Sequence, residues 1–119
     1  MFVWNKEKYP FSILDADTID KLNAEFVKML GSLADYEKEN SVDGKIYGKG
    51  IKEECKVIDA FFNEVLGEGV AEKMFGETYN LADRTSAVKK LYNLAKRQLR
   101  EEREKIKEIA RMATGDDKK

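Results

Sequence analysis

Apolar residues recur at three- and four-residue intervals along most of this chain, which is the spacing of one face of an α-helix. Two glycine clusters, at residues 44–50 and 67–69, interrupt the pattern, and Gly76 and the single proline, Pro10, interrupt it again. Glycine and proline mark the ends of regular elements, so these positions are the predicted joints. The pattern predicts an all-α fold: a small helical domain of about four helices, with an apolar N-terminal arm and a long charged C-terminal helix.

The predicted arm, residues 1–14, is rich in large apolar side chains, among them Trp4 and Phe11. This much apolar surface must pack on the same domain or on a neighbouring molecule. Residues 11–13 alternate in polarity and are compatible with a short strand, but a lone strand without a partner is not stable. We therefore expect an extended segment that lies across the helices.

Residues 15–99 form the predicted helical core. Its first helix should begin near Asp15 or Asp17, because aspartate caps helix N-termini well, and it should end near Asn40. The buried face of that helix is predicted to contain Ile19, Leu22, Phe26, Met29, Leu30 and Leu33. After a glycine-rich loop, a second helix over residues 51–66 carries a broad apolar face that includes Phe61 and Phe62, so it is predicted to be central to the core or to touch two neighbours.

Two glycines are predicted to end helices, because a glycine in the left-handed conformation commonly follows the last turn. Gly67 closes the second helix, and Gly76 closes a short helix over residues 70–75. The last helix should begin after Asn80 or Asp83 and continue to residue 112 or 113, with residues 100–119 as its charged end and tail. Its core-facing stripe is predicted to contain Val88, Leu91, Tyr92, Ala95 and Leu99.

A thin heptad seam runs along the last helix into its charged half. One line of the seam has seven-residue spacing and contains Tyr92, Leu99, Ile106 and Ala113; the other contains Val88, Ala95, Glu102 and Ile109. Such a narrow seam is typical of a helix that pairs with another chain. The alternative is a solvated helix end that frays, because opposite charges three or four residues apart can support a helix without burial.

The amino-acid composition excludes several classes of function. At 119 residues the chain is one domain, and its 22 basic and 23 acidic residues give a net charge of -1. This balance disfavours a nucleic-acid or membrane-surface binder, which would show a net basic face. The lack of histidine excludes the usual histidine-dependent nucleophiles and metal sites. Neither a secretory signal nor an apolar run of about 18 residues is visible, so we expect a cytoplasmic location without a membrane partner.

Candidate chemical sites are weak. Adjacent carboxylates such as Glu53 and Glu54 diverge by about 100 degrees on a helix and do not converge on a metal or proton. The glycine clusters lack the spacing of a phosphate-binding loop, and Cys55 lies on an apolar stripe, where cysteine is usually buried. We therefore assign no catalytic, cofactor-binding or metal-binding residues, and we expect an interaction module rather than an enzyme.

One stretch carries a family resemblance. Residues 61–69, which read Phe-Phe-Asn-Glu-Val-Leu-Gly-Glu-Gly, are followed by Lys-Met-Phe-Gly at 73–76 and by Asn80-Leu81. This arrangement resembles the tail assembly chaperones of long-tailed bacteriophages and prophages of Gram-positive bacteria. The resemblance covers residues 51–81, about a quarter of the chain, and its motif residues are Gly67, Glu68, Gly69 and Gly76. Gly76 is followed by Glu77 rather than by the second glycine of the family pattern.

The resemblance implies a non-enzymatic protein that coats the helical tape measure protein before the tail tube polymerises. Such a chaperone acts in the host cytoplasm and is absent from the mature virion. It also implies a homo-oligomer, in rings or spirals, and a longer form made by ribosomal frameshifting. The residues expected to bind the partner or a second copy are Trp4, Phe11, Phe61, Phe62, Phe75, Ile106 and Ile109.

A second hypothesis is a self-associating helical adaptor or regulator of a bacterial operon. In that case the last helix dimerises and the aromatic arm swaps between subunits. An adaptor should form a discrete dimer and bind one short motif, whereas a chaperone should form larger assemblies and bind a very long helical protein. A small enzyme or a nucleic-acid binder comes third, because the sequence offers no convergent polar pocket.

Overall fold

The computed structural model describes residues 1–42 and 45–115, so Gly44 and the Asp116–Asp117 pair lie outside the described residues. The elements in chain order are β1 (Phe2–Trp4), β2 (Glu7–Tyr9), α1 (Ala16–Asn40), β3 (Ser41–Val42), β4 (Lys45–Ile46), α2 (Gly48–Leu66), α3 (Val70–Phe75) and α4 (Leu81–Thr114). The predicted small helical domain with four helices and a long charged C-terminal helix is confirmed. The glycine-rich loop differs from the expectation, because β3 and β4 pair in it and α2 begins at Gly48.

The N-terminal arm is a β-hairpin rather than a single extended segment. Strands β1 and β2 pair antiparallel, with Phe2 opposite Tyr9 and Trp4 opposite Glu7. Asn5 and Lys6 form the turn with φ angles of 49° and 70°, as the two-residue turns that match strand twist require. The hairpin was not predicted, because only residues 11–13 alternate in polarity and both paired strands lie before them in the arm.

The first helix begins as predicted. The Asp15 carboxylate accepts a hydrogen bond of 2.9 Å from the Asp17 amide, and the Asp15 carbonyl accepts one of 3.0 Å from the Ile19 amide. Asp15 therefore caps the helix and satisfies one of its first amides. On the predicted buried face, Leu22 and Met29 are buried, but Leu30 is 50% exposed, so its assignment to the core is wrong. The buried stripe of α1 is narrower than its apolar pattern suggested.

The core lies where α2 crosses the other elements. Its centre is a set of aromatic rings: Phe62 stacks on Phe2 at 6.2 Å between ring centroids and meets Phe61 and Phe75 edge-on at 5.3 and 5.7 Å. Helix α4 contributes Ala87, Leu91, Leu94 and Ala95 to this core. The predicted core stripe of α4 is partly wrong, because Tyr92 is 39% exposed whereas Leu94 is buried.

Helix α4 extends well beyond this core. It has 34 residues, which correspond to about 51 Å of helix. The molecule measures 66 × 28 × 23 Å, and its radius of gyration is 18.5 Å, compared with about 13.5 Å for a compact chain of this length. The C-terminal half of α4 is therefore a projecting helix. Within the described residues, no helix is both long and apolar enough to span a bilayer.

Candidate functional site

The end of α4 presents three large apolar side chains that are exposed to solvent. Ile106, Ile109 and Met112 are 59%, 63% and 66% exposed. They follow one another at three-residue intervals, which places them on neighbouring positions of one helix face. We call this surface, residues 106–112, the α4 seam. Exposed apolar residues grouped on a projecting element are typical of a binding surface.

The heptad pattern that leads into the α4 seam begins beside the core. A small cleft lined by Ile13, Ile19, Leu22, Tyr92, Ala95 and Leu99 lies where α1 and the arm meet α4. Leu99 is half-buried there, and the predicted heptad line continues from it to the exposed Ile106. In both predicted heptad lines of α4, the N-terminal half therefore packs against the core and the C-terminal half faces solvent.

Ion pairs along the projecting helix are short-range and exposed. Arg97 pairs with Glu101 at 4.0 Å, Lys105 with Glu102 at 3.8 Å, and Lys107 with Glu104 at 3.3 Å. Each pair joins residues three or four apart and contributes about 0.2 to 0.5 kcal/mol to the helix. The Gly115 amide donates hydrogen bonds to the carbonyls of Arg111 and Met112, which closes the last turn. The helix is therefore supported locally, and its apolar face is left open.

The N-terminal arm is fixed to its own chain. The Trp4 indole NH donates a 3.2 Å hydrogen bond to the Met74 carbonyl, and its ring meets Phe75 edge-on at 5.8 Å. The Gln98 amide holds the segment after the hairpin at two points, because it donates to the Phe11 carbonyl at 3.2 Å and accepts from the Ile13 amide at 2.9 Å. In this structure the arm packs within one subunit.

Four of the residues predicted to bind a partner lie inside the protein. Phe11, Phe61, Phe62 and Phe75 are 8%, 2%, 0% and 9% exposed. They hold the core together, so they affect a partner only through the stability of the fold. Trp4 is half-buried against α3, whereas Ile106 and Ile109 are each more than half exposed. Of the seven predicted interaction residues, these two isoleucines alone are placed on an open surface.

The glycine motif forms a corner between α2 and α3. Gly67, Gly69 and Gly76 all have positive φ, at 129°, 81° and 68°. Asn63 holds the corner together, because its carbonyl accepts from the Gly67 amide at 3.2 Å and its side chain accepts from the Ala71 amide at 2.9 Å. Glu68 is exposed at the tip of this corner. The motif therefore has a complete structural explanation as a pair of helix stops.

A buried ion pair that the hydrophobic pattern does not predict links α2 to α4. Arg84 is 1% exposed, and its Nε and Nη2 donate to the two carboxylate oxygens of Asp59 at 3.0 and 3.2 Å. The guanidinium also lies 4.4 Å from the centre of the Phe75 ring, while Nη1 has no hydrogen-bond partner within the described residues. The available signal was that Arg84 continues the apolar series Ala87, Leu91 and Leu94 at helical spacing.

Two other ionisable groups are buried near this pair. Burial raises the pKa of the Glu54 carboxyl, and the nearby Glu37 raises it further. Burial likewise raises the pKa of the Cys55 thiol, against a smaller lowering by Arg84, so this thiol is a poor nucleophile at neutral pH. Among the described residues, no group of three or more potential ligands is placed to hold a metal ion.

Comparison with known proteins gives a family but no function. A model of a family of unknown function, DUF6673, matches residues 5–114, which includes every helix described above. The comparisons found no match among curated proteins and none among solved structures. Because the family model covers almost the whole length, the chain belongs to the DUF6673 family.

Proposed function

We propose that this protein is a non-enzymatic tail assembly chaperone of a long-tailed phage or prophage, and that it coats the tape measure protein before tail tube polymerisation. The observation that carries the proposal is the α4 seam, in which Ile106, Ile109 and Met112 are more than half exposed on a projecting helix. The sequence resemblance over residues 51–81 supplies the identity of the partner. The protein acts in the host cytoplasm and leaves before the virion is complete.

The seam fits a helical partner. Its apolar residues form a narrow stripe on a helix, and another amphipathic helix can lie along such a stripe and bury its own apolar face. A tape measure protein exposes long helical stripes before the tube encloses it. Many copies of this protein, each bound along one segment, would cover those stripes by repetition rather than by high affinity of each copy.

Weak binding by each chaperone copy would allow tube subunits to displace it from the tape measure protein. The α4 seam is short, and just before it Glu102 interrupts the heptad line between Ala95 and Ile109. A polar residue at a core position of a helix pair lowers stability while it fixes the register. Tube subunits that bind the tape measure protein more tightly can then replace the chaperone copies one after another.

Co-expression with the tape measure protein from the same phage genome tests the proposal. We expect a soluble complex with several chaperone copies per tape measure chain. Ile106→Glu and Ile109→Glu should each weaken it at least about tenfold, because burial of an unpaired charge costs more than about 1.4 kcal/mol. Lys107→Glu is the matched control, since it places the same side chain on a different face of α4 and should leave the complex intact.

Two results would count against the proposal. One is a tape measure protein that neither becomes soluble nor co-purifies with this chain. The other is a complex that survives Ile106→Glu and Ile109→Glu unchanged, since the seam would then not be the binding surface. Recovery of a discrete dimer with one short partner would instead favour the adaptor hypothesis.

A further inference from the structure

Helix α1 has a second apolar face that the described residues of its own chain leave exposed. Val27 is 71% exposed and Leu30 is 50% exposed, although both lie in the middle of a 25-residue helix whose opposite side is buried. Ala24, Gly31 and Ala34 are also exposed. A side chain at Gly31 would meet no atom within 4 Å, so this part of the helix surface is flat and open.

The residues of this face follow a regular pattern with a charge at each end. Positions 20, 24, 27, 31, 34 and 38 are separated alternately by four and three residues, which is the spacing of a helix that packs along another helix. They read Asp20, Ala24, Val27, Gly31, Ala34 and Lys38, and all six are exposed. We call this set the α1 face. It begins with an acid and ends with a base, and its middle is apolar.

We propose that the α1 face binds the α1 face of a second copy of this chain, in an antiparallel pair related by a two-fold axis. When the pair is centred at the level of Met29, Val27 of one copy lies opposite Gly31 of the other, and Ala24 lies opposite Ala34. Asp20 then lies opposite Lys38 at both ends of the pair. The face is complementary to itself, as a two-fold interface requires.

Charge decides the direction of the pair. A parallel arrangement would place Asp20 against Asp20 and Lys38 against Lys38, which costs energy at both ends. The antiparallel arrangement turns both contacts into opposite-charge pairs. On the flank of the same helix, Lys21 lies at the level where the second copy presents Asp35 and Glu39, so these three charges are complementary, whereas Lys28 of both copies lies near the axis on that flank.

Apolar contact extends beyond the face on the side of Leu30. Leu30 lies at the edge of a groove with a volume of about 340 Å³, which Leu33, Ile58 and Leu81 also line. The two-fold axis brings Leu30 of both copies to the same side of the pair, where each covers part of the apolar edge of the other. Small residues at the centre allow the helix backbones to approach closely, and Leu30 supplies the apolar area that small residues lack.

This inference does not depend on the proposed chaperone function, because it uses a different helix. The α1 face and the α4 seam lie on separate elements, so one substitution on each separates the two activities. Val27→Glu should abolish self-association and leave tape measure binding through α4 in place. Ile109→Glu should have the opposite effect.

Sedimentation velocity of the full chain over a concentration series is the first test. In the absence of a tape measure protein, we expect concentration-dependent association that begins with a dimer for the natural chain and for Ile109→Glu, and a monomer for Val27→Glu. Because Val27 is exposed, its substitution should leave the helical circular dichroism signal and the Tm unchanged. A natural chain that stays monomeric into the millimolar range overturns the proposal, and so does a dimer that Ile109→Glu disrupts and Val27→Glu does not.

Charge exchange and cross-linking test the geometry of the pair. Asp20→Lys and Lys38→Asp should each weaken the dimer several-fold, and the double variant should recover most of the loss, because the pair is restored in the opposite sense. A mixture of Ala24→Cys and Ala34→Cys chains should form a disulfide-linked heterodimer, since the buried Cys55 does not compete. Cross-linking of Ala24→Cys with itself would show a parallel pair and overturn the proposal.

Discussion

Removal of the Asp59 carboxylate should destabilise the protein more than any surface charge change. Asp59→Asn keeps the shape of the side chain but leaves the Arg84 guanidinium, which is 1% exposed, without its counter-charge. Loss of one partner of a buried ion pair costs about 3 to 5 kcal/mol. The Asp59 side chain is 24% exposed, so water reaches the site, and we expect the lower figure of about 2 to 3 kcal/mol.

This loss is a large part of the stability of such a domain. The whole free energy of unfolding for a small protein is about 5 to 15 kcal/mol. With an unfolding entropy of about 2.1 cal/mol/K per residue, a loss of 2 to 3 kcal/mol in a chain of 119 residues lowers the Tm by about 8 to 12 °C. The orphaned guanidinium would still lie against the Phe75 ring, which recovers part of the interaction.

Urea denaturation followed by circular dichroism measures the effect directly. A double-mutant cycle with Asp59→Asn, Arg84→Met and the double variant should give a coupling energy of about 1.5 kcal/mol or more. The double variant should be more stable than Asp59→Asn alone, because it leaves no buried unpaired charge. Glu102→Gln, which breaks an exposed pair with Lys105, is the control and should change stability by less than about 0.5 kcal/mol. An Asp59→Asn protein within that same limit would refute the reasoning.

Three further predictions concern stability. Lys6→Gly should raise the free energy of unfolding by about 0.5 to 1 kcal/mol in urea denaturation, because residue 6 has a φ of 70° that glycine adopts without strain. A variant less stable than the natural protein would contradict this and show that the Lys6 side chain contributes contacts. Phe62→Ala should lower it by about 3 to 5 kcal/mol in the same assay, since the ring is 0% exposed, and a cost below 1 kcal/mol would contradict its central place in the core. Glu54→Gln should raise the Tm at pH 7 but not at pH 4. The folded chain binds the Glu54 proton more tightly than the unfolded chain does, so the natural protein loses stability as the pH rises from 4.5 through the raised pKa. Calorimetry at both pH values measures the Tm. An equal change in Tm at pH 4 and pH 7 would contradict the predicted direction of the pKa shift.

The helices could be predicted because their signals are local. Asp15 caps α1, Asn80 caps α4 through a 3.1 Å hydrogen bond to the Asp83 amide, and Gly67 and Gly76 end α2 and α3. Each of these residues acts within one turn of its own position, so a single sequence is sufficient to find it. The hairpin turn was missed because its residues are Asn5 and Lys6 rather than the common Asn-Gly.

Contacts between distant elements could not be predicted in this way. The Arg84–Asp59 pair and the two Gln98 hydrogen bonds to the arm join residues 25 and more than 80 positions apart. Their formation depends on how helices cross, which periodicity does not specify. The same limit explains Leu30, which fits the apolar spacing of α1 but is only partly covered by the neighbouring elements and stays 50% exposed. Phe11, Phe61, Phe62 and Phe75 were predicted to bind a partner, but the crossing of the elements buries them in the core.

Because Gln98 holds the arm in place, the arm can be fixed only late in synthesis of the chain. The ribosome releases the hairpin first, yet the residue that holds Phe11 and Ile13 emerges more than 80 residues later. At about 5 to 20 residues per second, the exposed arm waits for several seconds before α4 arrives. During this interval its aromatic side chains are available to bind other nascent chains on the same messenger. A chain that stops before residue 98 lacks both of these hydrogen bonds, and we expect its arm to be held less firmly than in the full chain.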